Sequence, residues 1–102
     1  MQRIIVKSKI SGIRVEDANI YYDGSITLNY SDMLASGIIE NEQVHVLDIT
    51  NGQRFITYAI PGEHTCVNGA AAKLVCIGDE LIVLAYGIFD GNDSYKMRHV
   101  RK

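Results

Sequence analysis

Short runs rich in valine, isoleucine, threonine and tyrosine alternate along the chain with turn-forming Gly, Asn and Asp. Branched and aromatic side chains favour extended backbone, whereas the intervening residues favour turns. The pattern therefore predicts a mainly β domain. The predicted strands cover residues 3–13, 25–30, 43–50, 53–60, 80–88 and 94–100.

Two short helices are predicted between these strands. Residues 31–37 form the first, with Ser31 as the candidate N-cap and Asp32 favourable in the first turn. Gly37 can adopt the left-handed conformation that ends a helix. The alanine run after Asn68 predicts the second helix, with Asn68 as its candidate cap.

Three Gly-containing dipeptides predict tight turns. Asn51-Gly52 lies in the position of a two-residue turn between predicted strands, and Asp90-Gly91 in "IFDGNDSY" predicts a looser one. Asp23-Gly24 in "IYYDGSITL" is also a hairpin signal, because glycine accepts the positive φ that such a turn needs. Ser25 follows this turn directly, and a strained Gly-Ser bond can be attacked by its own serine hydroxyl.

A weak internal repeat relates residues 39–47, "IENEQVHVL", to residues 77–85, "IGDELIVLA". The offset is 38 residues, and the same offset carries the first predicted helix onto the second. A unit of short helix, acidic turn and strand therefore occurs twice. This arrangement predicts a barrel with pseudo-twofold symmetry.

The composition fits one globular domain spanning residues 1–102, with 47% hydrophobic and 22% charged residues. A net charge of -2 gives no electrostatic reason to expect nucleic acid or an anionic membrane as a partner. The basic tail "KMRHVRK" is expected to be a solvated or frayed end. Because we find neither a signal-peptide core nor the roughly 20 apolar residues of a membrane span, we expect a cytoplasmic protein.

Common catalytic and metal-binding motifs are missing. The two cysteines and three histidines lack the spacing of a zinc or redox site, so no metal is expected. Eight residues remain as candidates for chemistry, although each alone has an ordinary explanation as a strand residue, turn or cap. These are Lys9, Tyr22, Gly24, Ser25, Arg54, Thr57, Tyr58 and Asn68.

The order of these residues resembles that of the pyruvoyl-dependent aspartate 1-decarboxylases over residues 1 to 88. The resemblance lies in "KISGIRVEDANI", "YYDGSITL", "SGIIENEQVHVLDITNGQRFITYAI" and "VNGAAAKLVCIGDELIVL". It implies a mainly β fold, the double-psi β-barrel, in agreement with the repeat. It also implies a homotetramer with active sites between neighbouring subunits, and leaves open whether maturation needs an accessory protein.

The resemblance implies that the chain cleaves itself between Gly24 and Ser25, giving chains 1–24 and 25–102. Ser25 would attack the carbonyl of Gly24 and end as a pyruvoyl group, with Thr57 assisting, and no metal or external cofactor would be needed. The pyruvoyl carbonyl would form an imine with L-aspartate and accept electrons as CO2 leaves. The product would be β-alanine, for pantothenate and coenzyme A synthesis.

The resemblance also implies roles in substrate binding. Lys9 and Arg54 would bind the two carboxylates of aspartate, Arg54 through two parallel hydrogen bonds. Tyr58 would deliver the proton to the carbanion, while Tyr22 and Ile82 would line the pocket. The remaining substrate-binding residues would be Thr57, Asn68, Gly69, Ala70 and Ala71.

The sequence departs from the family pattern in three places. The link "PGEHTCVNG" is shorter by a few residues than in familiar bacterial members, and a longer C-terminal extension is absent. Leu47 and Tyr21 occupy positions where some members have Trp and His. None of these changes removes a residue that the mechanism needs.

Two alternative functions stay open at this level. The chain could be a non-enzymatic barrel that binds a partner and has lost processing. It could also be a pyruvoyl decarboxylase for another acidic amino acid such as glutamate, because Lys9 and Arg54 do not by themselves fix the spacing between two carboxylates.

Overall fold

The computed structural model describes residues 1–92 and 94–102. Asp93, part of the predicted turn "IFDGNDSY", lies outside the described residues. The strands are β1 Gln2–Arg14, β2 Asp17–Asn19, β3 Ser25–Asn29, β4 Gln43–Asp48, β5 Arg54–Gly62, β6 Cys66–Asn68, β7 Glu80–Asp90 and β8 Arg98–Arg101. The helices are α1 Tyr30–Ser36 and a 3-10 helix, Gly69–Leu74.

The described strands form one eight-stranded sheet in the order β2-β6-β3-β5-β4-β7-β1-β8. β3 runs parallel to β5, and β1 runs parallel to β8, whereas β4 is antiparallel to both of its neighbours. The register of β1 shifts between Val6 and Ser8 and again between Ile10 and Ile13, which bends this long strand. The sheet does not close fully. This mainly β arrangement with few short helices confirms the predicted fold class and is consistent with a double-psi β-barrel.

Alternate residues of the strands supply the core. Val44 and Val46 on β4 and Leu81 and Val83 on β7 are completely buried, while the residues between them face outward. Strands with this period of two bury one face and expose the other. The predicted segments 3–13, 43–50 and 80–88 match β1, β4 and β7 because this alternation is clear in the sequence. Other fully buried core residues are Ile10, Ile26, Ala59, Val67 and Ala85.

The first helix begins earlier than predicted. Asn29 is the N-cap of α1, and its Oδ1 accepts the backbone N–H of Ser31 at 2.9 Å. The prediction of Ser31 as the cap is therefore wrong, because Ser31 already lies inside the first turn. The predicted end is confirmed: Gly37 has φ +78° and donates its N–H to Met33 O.

The second helix is a short 3-10 helix, and Asn68 does not cap it through its side chain. Asn68 is the last residue of β6, and its amide turns toward β3 instead. Asn68 therefore occupies the predicted N-cap position, but its side chain makes no capping hydrogen bond because the amide is directed toward Ser25 on β3.

The turn at Asn51-Gly52 is wider than a two-residue turn. β4 ends at Asp48 and β5 begins at Arg54. Asp48 Oδ1 accepts the N–H groups of Thr50 and Asn51, at 2.9 and 3.2 Å. The carboxylate satisfies donors that a tight hairpin would pair across the strands, so the longer loop is stable.

The two Asp-Gly turns do not join hairpin strands. β2 and β3 flank Asp23-Gly24, but β6 lies between them, and Gly24 does not have a positive φ. β7 ends at Asp90, and it lies on the opposite side of β1 from β8, the next strand in sequence. The hairpin predicted at Asp23-Gly24 is therefore wrong because strand order in this sheet is not sequential, whereas the looser turn predicted at Asp90-Gly91 is present at Gly91 and Asn92.

The internal repeat aligns strand β4 with strand β7 but does not align their buried faces. An offset of 38 residues carries β4 onto β7 and carries Val44 onto Ile82. Val44 is buried, whereas Ile82 is half-buried and its neighbours Leu81 and Val83 fill the core. One residue of slip exchanges the two faces of a strand.

The basic tail is ordered in the sheet. Residues Arg98–Arg101 form β8 along β1, and Lys102 Nζ lies 2.8 Å from Asp32 Oδ2 on α1. The expected frayed end is therefore wrong, and the strand predicted over 94–100 begins later, at Arg98. Among the described residues, no helix has the length and apolar character needed to cross a membrane.

Candidate active site

The Ser25 hydroxyl is buried at the start of β3 and held by an amide. Ser25 has no solvent exposure and pairs with Asn68 of β6. Asn68 Nδ2 donates to Ser25 Oγ at 3.0 Å and to Thr27 Oγ1 at 3.3 Å. Ser25 Oγ in turn makes a long contact, 3.5 Å, with Asp23 O. The amide thus fixes the hydroxyl oxygen and leaves its second lone pair unused.

Gly69 packs directly against the Gly24 backbone. A Cβ at position 69 would lie 2.6 Å from Gly24 Cα and 2.9 Å from Gly24 N. Gly69 also has φ +73°, which disfavours residues with a side chain. Gly24 itself has open space around its Cβ position. The close approach therefore requires glycine at position 69 and not at position 24.

β5 carries Thr57 and Tyr58 beside this bond. The parallel register pairs Ile26 with Ala59, so Tyr58 precedes that pair by one residue, as Ser25 does on β3. Thr57 is half-buried and, if the register is extended, lies level with Gly24. Both β5 residues are thus on the strand adjacent to the Gly24–Ser25 bond.

Arg54 belongs to a second group of side chains. Its Nη2 donates to Tyr86 Oη at 3.0 Å and contacts His45 Nδ1 at 3.3 Å. The rings of His45 and Tyr86 meet edge to face, with centroids 4.7 Å apart. Arg54 is exposed on the outward face of the sheet.

Lys9 and Ile82 lie on that same outward face. Lys9 is half-buried and pairs with Leu84 of β7, and Ile82 pairs with Leu47 of β4. In the sheet, β4 and β7 separate Arg54 on β5 from Lys9 on β1. β3, with Ser25, is on the other side of β5.

A groove of about 450 Å³ adjoins the partners of Arg54 and not Ser25. The outward face also exposes large apolar side chains, including Ile4, Ile56 and Ile88, which are each at least 60% accessible. The groove is lined by Ile4, Glu42, Gln43, His45, Tyr86, Gly87 and Ile88.

Comparison with known proteins identifies the family. The sequence profile described as "Aspartate decarboxylase" matches residues 1–101. The chain belongs to the aspartate decarboxylase family. The resemblance found in the sequence is thereby confirmed.

Relatives in this family are similar along most of their length. The chain is 48% identical over 98 residues to an "Aspartate 1-decarboxylase" of Thermoanaerobacter pseudethanolicus, covering 92% of this chain and 84% of the relative. It is 48% identical over 100 residues to one of Kosmotoga olearia, covering 94% and 86%. It is 45% identical over 102 residues to an "Aspartate 1-decarboxylase" of Heliobacterium modesticaldum, and the match covers 96% of this chain and 77% of the relative.

The candidate residues of this aspartate decarboxylase family member fall into two groups within one chain. The first group surrounds Gly24 and consists of Ser25, Asn68 and Gly69. The backbone carbonyl oxygen of the exposed Tyr22 also lies beside Gly69. Ala70 is exposed and Ala71 half-buried in the adjoining 3-10 helix. The second group has Arg54 at its centre and shares its face with Lys9 and Ile82.

Three polar residues of these groups were not predicted from the sequence. Thr27 shares the Asn68 amide with Ser25, and His45 and Tyr86 bind Arg54. Strand alternation could have placed each on the correct face. For Thr27 and Tyr86, only the register between strands that are not consecutive in sequence brings the side chain to its partner, whereas His45 meets Arg54 across the consecutive strands β4 and β5.

Asp48 and Asp79 form a buried acidic pair away from both groups. Burial, and then a hydrogen bond with Asp79, raises the pKa of the Asp48 carboxyl. The same hydrogen bond, and then the N–H of Cys76, lowers the pKa of Asp79. Among the described residues, Asp48 Oδ2 is the one buried side-chain nitrogen or oxygen that accepts or donates no hydrogen bond to a defined partner. A proton on Asp48 that is donated to Asp79 satisfies both carboxyl groups.

The acidic, histidine and cysteine side chains do not gather at a metal centre in the part of the chain that the structure describes. No group of three or more of them there could hold a metal ion.

Proposed function

We propose that this protein is a self-processing, pyruvoyl-dependent aspartate 1-decarboxylase that converts L-aspartate to β-alanine and CO2 for pantothenate synthesis. Family membership supports the decarboxylation of aspartate. The observation that carries the self-processing is the buried Ser25 hydroxyl, held by Asn68 next to the Gly24 peptide. The close packing of Gly69 on the Gly24 backbone holds the other side of the same peptide bond.

In the proposed cleavage, Ser25 Oγ attacks the carbonyl carbon of Gly24, and the peptide C–N bond breaks to leave an ester. Loss of the α-proton of residue 25 expels Gly24 as a carboxylate and leaves dehydroalanine. Water then replaces the nitrogen, ammonia leaves, and residue 25 becomes pyruvoyl. Asn68 orients the attacking oxygen, Gly69 fixes the Gly24 backbone, and Thr57 assists from β5.

The residues around position 25 fit a pyruvoyl group. The position is buried, and the Asn68 amide supplies a hydrogen-bond donor to an oxygen on the residue 25 side chain. A pyruvoyl group there supplies the electron sink for loss of the substrate carboxylate. Burial keeps bulk water from the reacting atoms.

The cations of the outward face match the charge of the substrate. Aspartate carries two carboxylates, and Arg54 and Lys9 would bind them. Tyr58, one strand from Ser25, would deliver the proton. Asn68, Gly69, Ala70 and Ala71 would orient the substrate, and Tyr22 and Ile82 would line its pocket.

The proposed active form is a homotetramer with active sites between subunits. Within one chain, Arg54 lies four residues along β5 from Tyr58, the residue beside Ser25, and Lys9 lies three strands beyond β5, on β1. The same face exposes Ile56 and Ile88, which a second copy of the chain would cover. Association would therefore both bury the apolar face and complete the site.

Turnover of two acidic amino acids tests the proposal. We expect purified protein to release β-alanine from L-aspartate and to act much more slowly on L-glutamate, whereas Ser25→Ala should be inactive. Faster turnover of glutamate than of aspartate would favour a pyruvoyl decarboxylase for another acidic amino acid. No turnover by fully cleaved protein would contradict the proposed activity and favour a non-enzymatic barrel.

A further inference from the structure

Two aromatic side chains hold the guanidinium of Arg54. Both contacts, with Tyr86 Oη and His45 Nδ1, involve the same nitrogen, Nη2. A guanidinium has donors and no acceptor, so His45 Nδ1 must accept the hydrogen bond. This contact therefore requires the His45 tautomer whose ring proton is on Nε2.

The sheet register fixes the positions of these three residues. Arg54 pairs with Leu47, two residues beyond His45 on β4. Leu84 pairs with His45, two residues before Tyr86 on β7. Arg54 and Tyr86 are thus diagonal neighbours of His45 on three adjacent strands. The edge-to-face contact of the two rings stabilises this arrangement.

The two contacts determine which donors of Arg54 face a ligand. A carboxylate accepts two parallel hydrogen bonds from a guanidinium through an edge that includes Nη2. Both hydrogens of Nη2 are already engaged by His45 and Tyr86. Arg54 therefore presents the donors of Nη1 or Nε to a carboxylate while both contacts last, and not a two-nitrogen edge that includes Nη2.

We propose that His45 and Tyr86 are positioning residues, which orient the Arg54 guanidinium toward a carboxylate of the substrate. This inference rests on the proposed function, in which Arg54 binds aspartate. Loss of either acceptor frees the guanidinium to rotate, so binding must order it again and affinity falls. Cleavage at Ser25 uses other residues and should continue.

The test compares single variants of the two acceptors in the cleaved protein. Tyr86→Phe and His45→Leu should raise KM for aspartate about three- to tenfold, with kcat within about twofold of native. His45→Gln keeps an acceptor oxygen and should restore KM toward native. Tyr30→Phe, a hydroxyl deletion on the exposed face of α1, is the matched control. Nitrogen NMR should show restricted rotation of the Arg54 guanidinium in native protein and faster rotation in the first two variants.

Several results would overturn the inference. These are an unchanged KM in both Tyr86→Phe and His45→Leu, unchanged guanidinium rotation, or loss of Gly24–Ser25 cleavage in the same variants, which would indicate a general structural role. Absence of aspartate turnover by native protein would instead contradict the proposed function. The NMR measurement then still decides whether the pair orients Arg54.

Discussion

Asn68 shares one amide nitrogen between two hydroxyl groups, and this sharing ties β6 to the chemistry of β3. The hydrogen bond to Ser25 Oγ holds the nucleophile, whereas the weaker contact to Thr27 Oγ1 steadies the amide. We predict that Asn68→Ala slows self-cleavage about tenfold, because one hydrogen bond of about 1.4 kcal/mol no longer orients the attacking oxygen. The rate can be followed by denaturing mass spectrometry of freshly purified precursor.

Thr27→Val is the matched control for this prediction. It removes the second acceptor of the same amide but leaves the contact to Ser25, so cleavage should stay within about twofold of native. Equal rates for Asn68→Ala and native protein would contradict the assigned role of Asn68.

At the residue scale, resemblance to the family identified more of the candidate site residues than helix and strand propensities did. The family pattern assigned Asn68 to substrate binding, and its amide contacts Ser25 Oγ in the structure, whereas helix propensity predicted only its place at the N-cap and not this contact. Tyr86 and Thr27 were missed because each depends on a partner in a strand that is not its neighbour in sequence, and His45 was missed because its contact with Arg54 runs diagonally between β4 and β5.

At the element scale, the turn after β6 brings Gly69 onto Gly24. We predict that Gly69→Ala slows cleavage more than tenfold and lowers the urea midpoint, because its Cβ would lie 2.6 Å from Gly24 Cα. Cleavage rate and urea unfolding measure the two effects separately.

Gly52→Ala separates backbone strain from the close approach. Gly52 also has a positive φ, +78°, but its Cβ position is open. This variant should lose about 1 kcal/mol of stability with native cleavage. If both variants cleave equally well, the contact between Gly69 and Gly24 has no role in processing.

The Asp48–Asp79 pair links the β4–β5 loop to the turn before β7. Because the pKa of Asp48 is raised above 3.8, the folded state binds this proton more tightly than the unfolded state. The contribution of Asp48 to the free energy of unfolding is present below pH 3.8 and is lost as the pH rises through the raised pKa. Asp79 has the opposite sign: its lowered pKa stabilises the fold above 3.8, and this contribution is lost as pH falls through the lowered value.

We predict that Asp48→Asn raises the urea midpoint at neutral pH, with a smaller gain at acidic pH. The amide keeps the acceptor for Thr50 and Asn51 and donates permanently to Asp79. Glu63→Gln, an exposed carboxylate change, should have no such pH-dependent effect. A lower midpoint for Asp48→Asn at neutral pH would mean that the pair shares no proton.

The elements themselves were largely predictable, but their connections were not. Alternation of buried and exposed residues identified β1, β4 and β7. The three-residue strands β2 and β6 were missed because they are too short to show a period. The hairpin prediction at Asp23-Gly24 failed because Asp-Gly signals a local turn and carries no information about which strands pair.

At the scale of the whole molecule, the separation of Arg54 from Ser25 predicts complementation between subunits. Ser25→Ala and Arg54→Ala chains should each be inactive alone. Mixed oligomers should recover about a quarter of the native sites, because random pairing joins an intact Ser25 to an intact Arg54 at that frequency. No recovery in verified mixed oligomers would place both residues in one chain's site.

The central claim is that Ser25 becomes the reactive group by breaking its own peptide bond. Denaturing mass spectrometry of the purified protein tests this most directly, with Ser25→Ala as the uncleaved control. We predict one fragment ending at Gly24 and a second beginning with a pyruvoyl group at position 25. A native chain that remains intact through residues 1–102 after prolonged incubation would contradict the account.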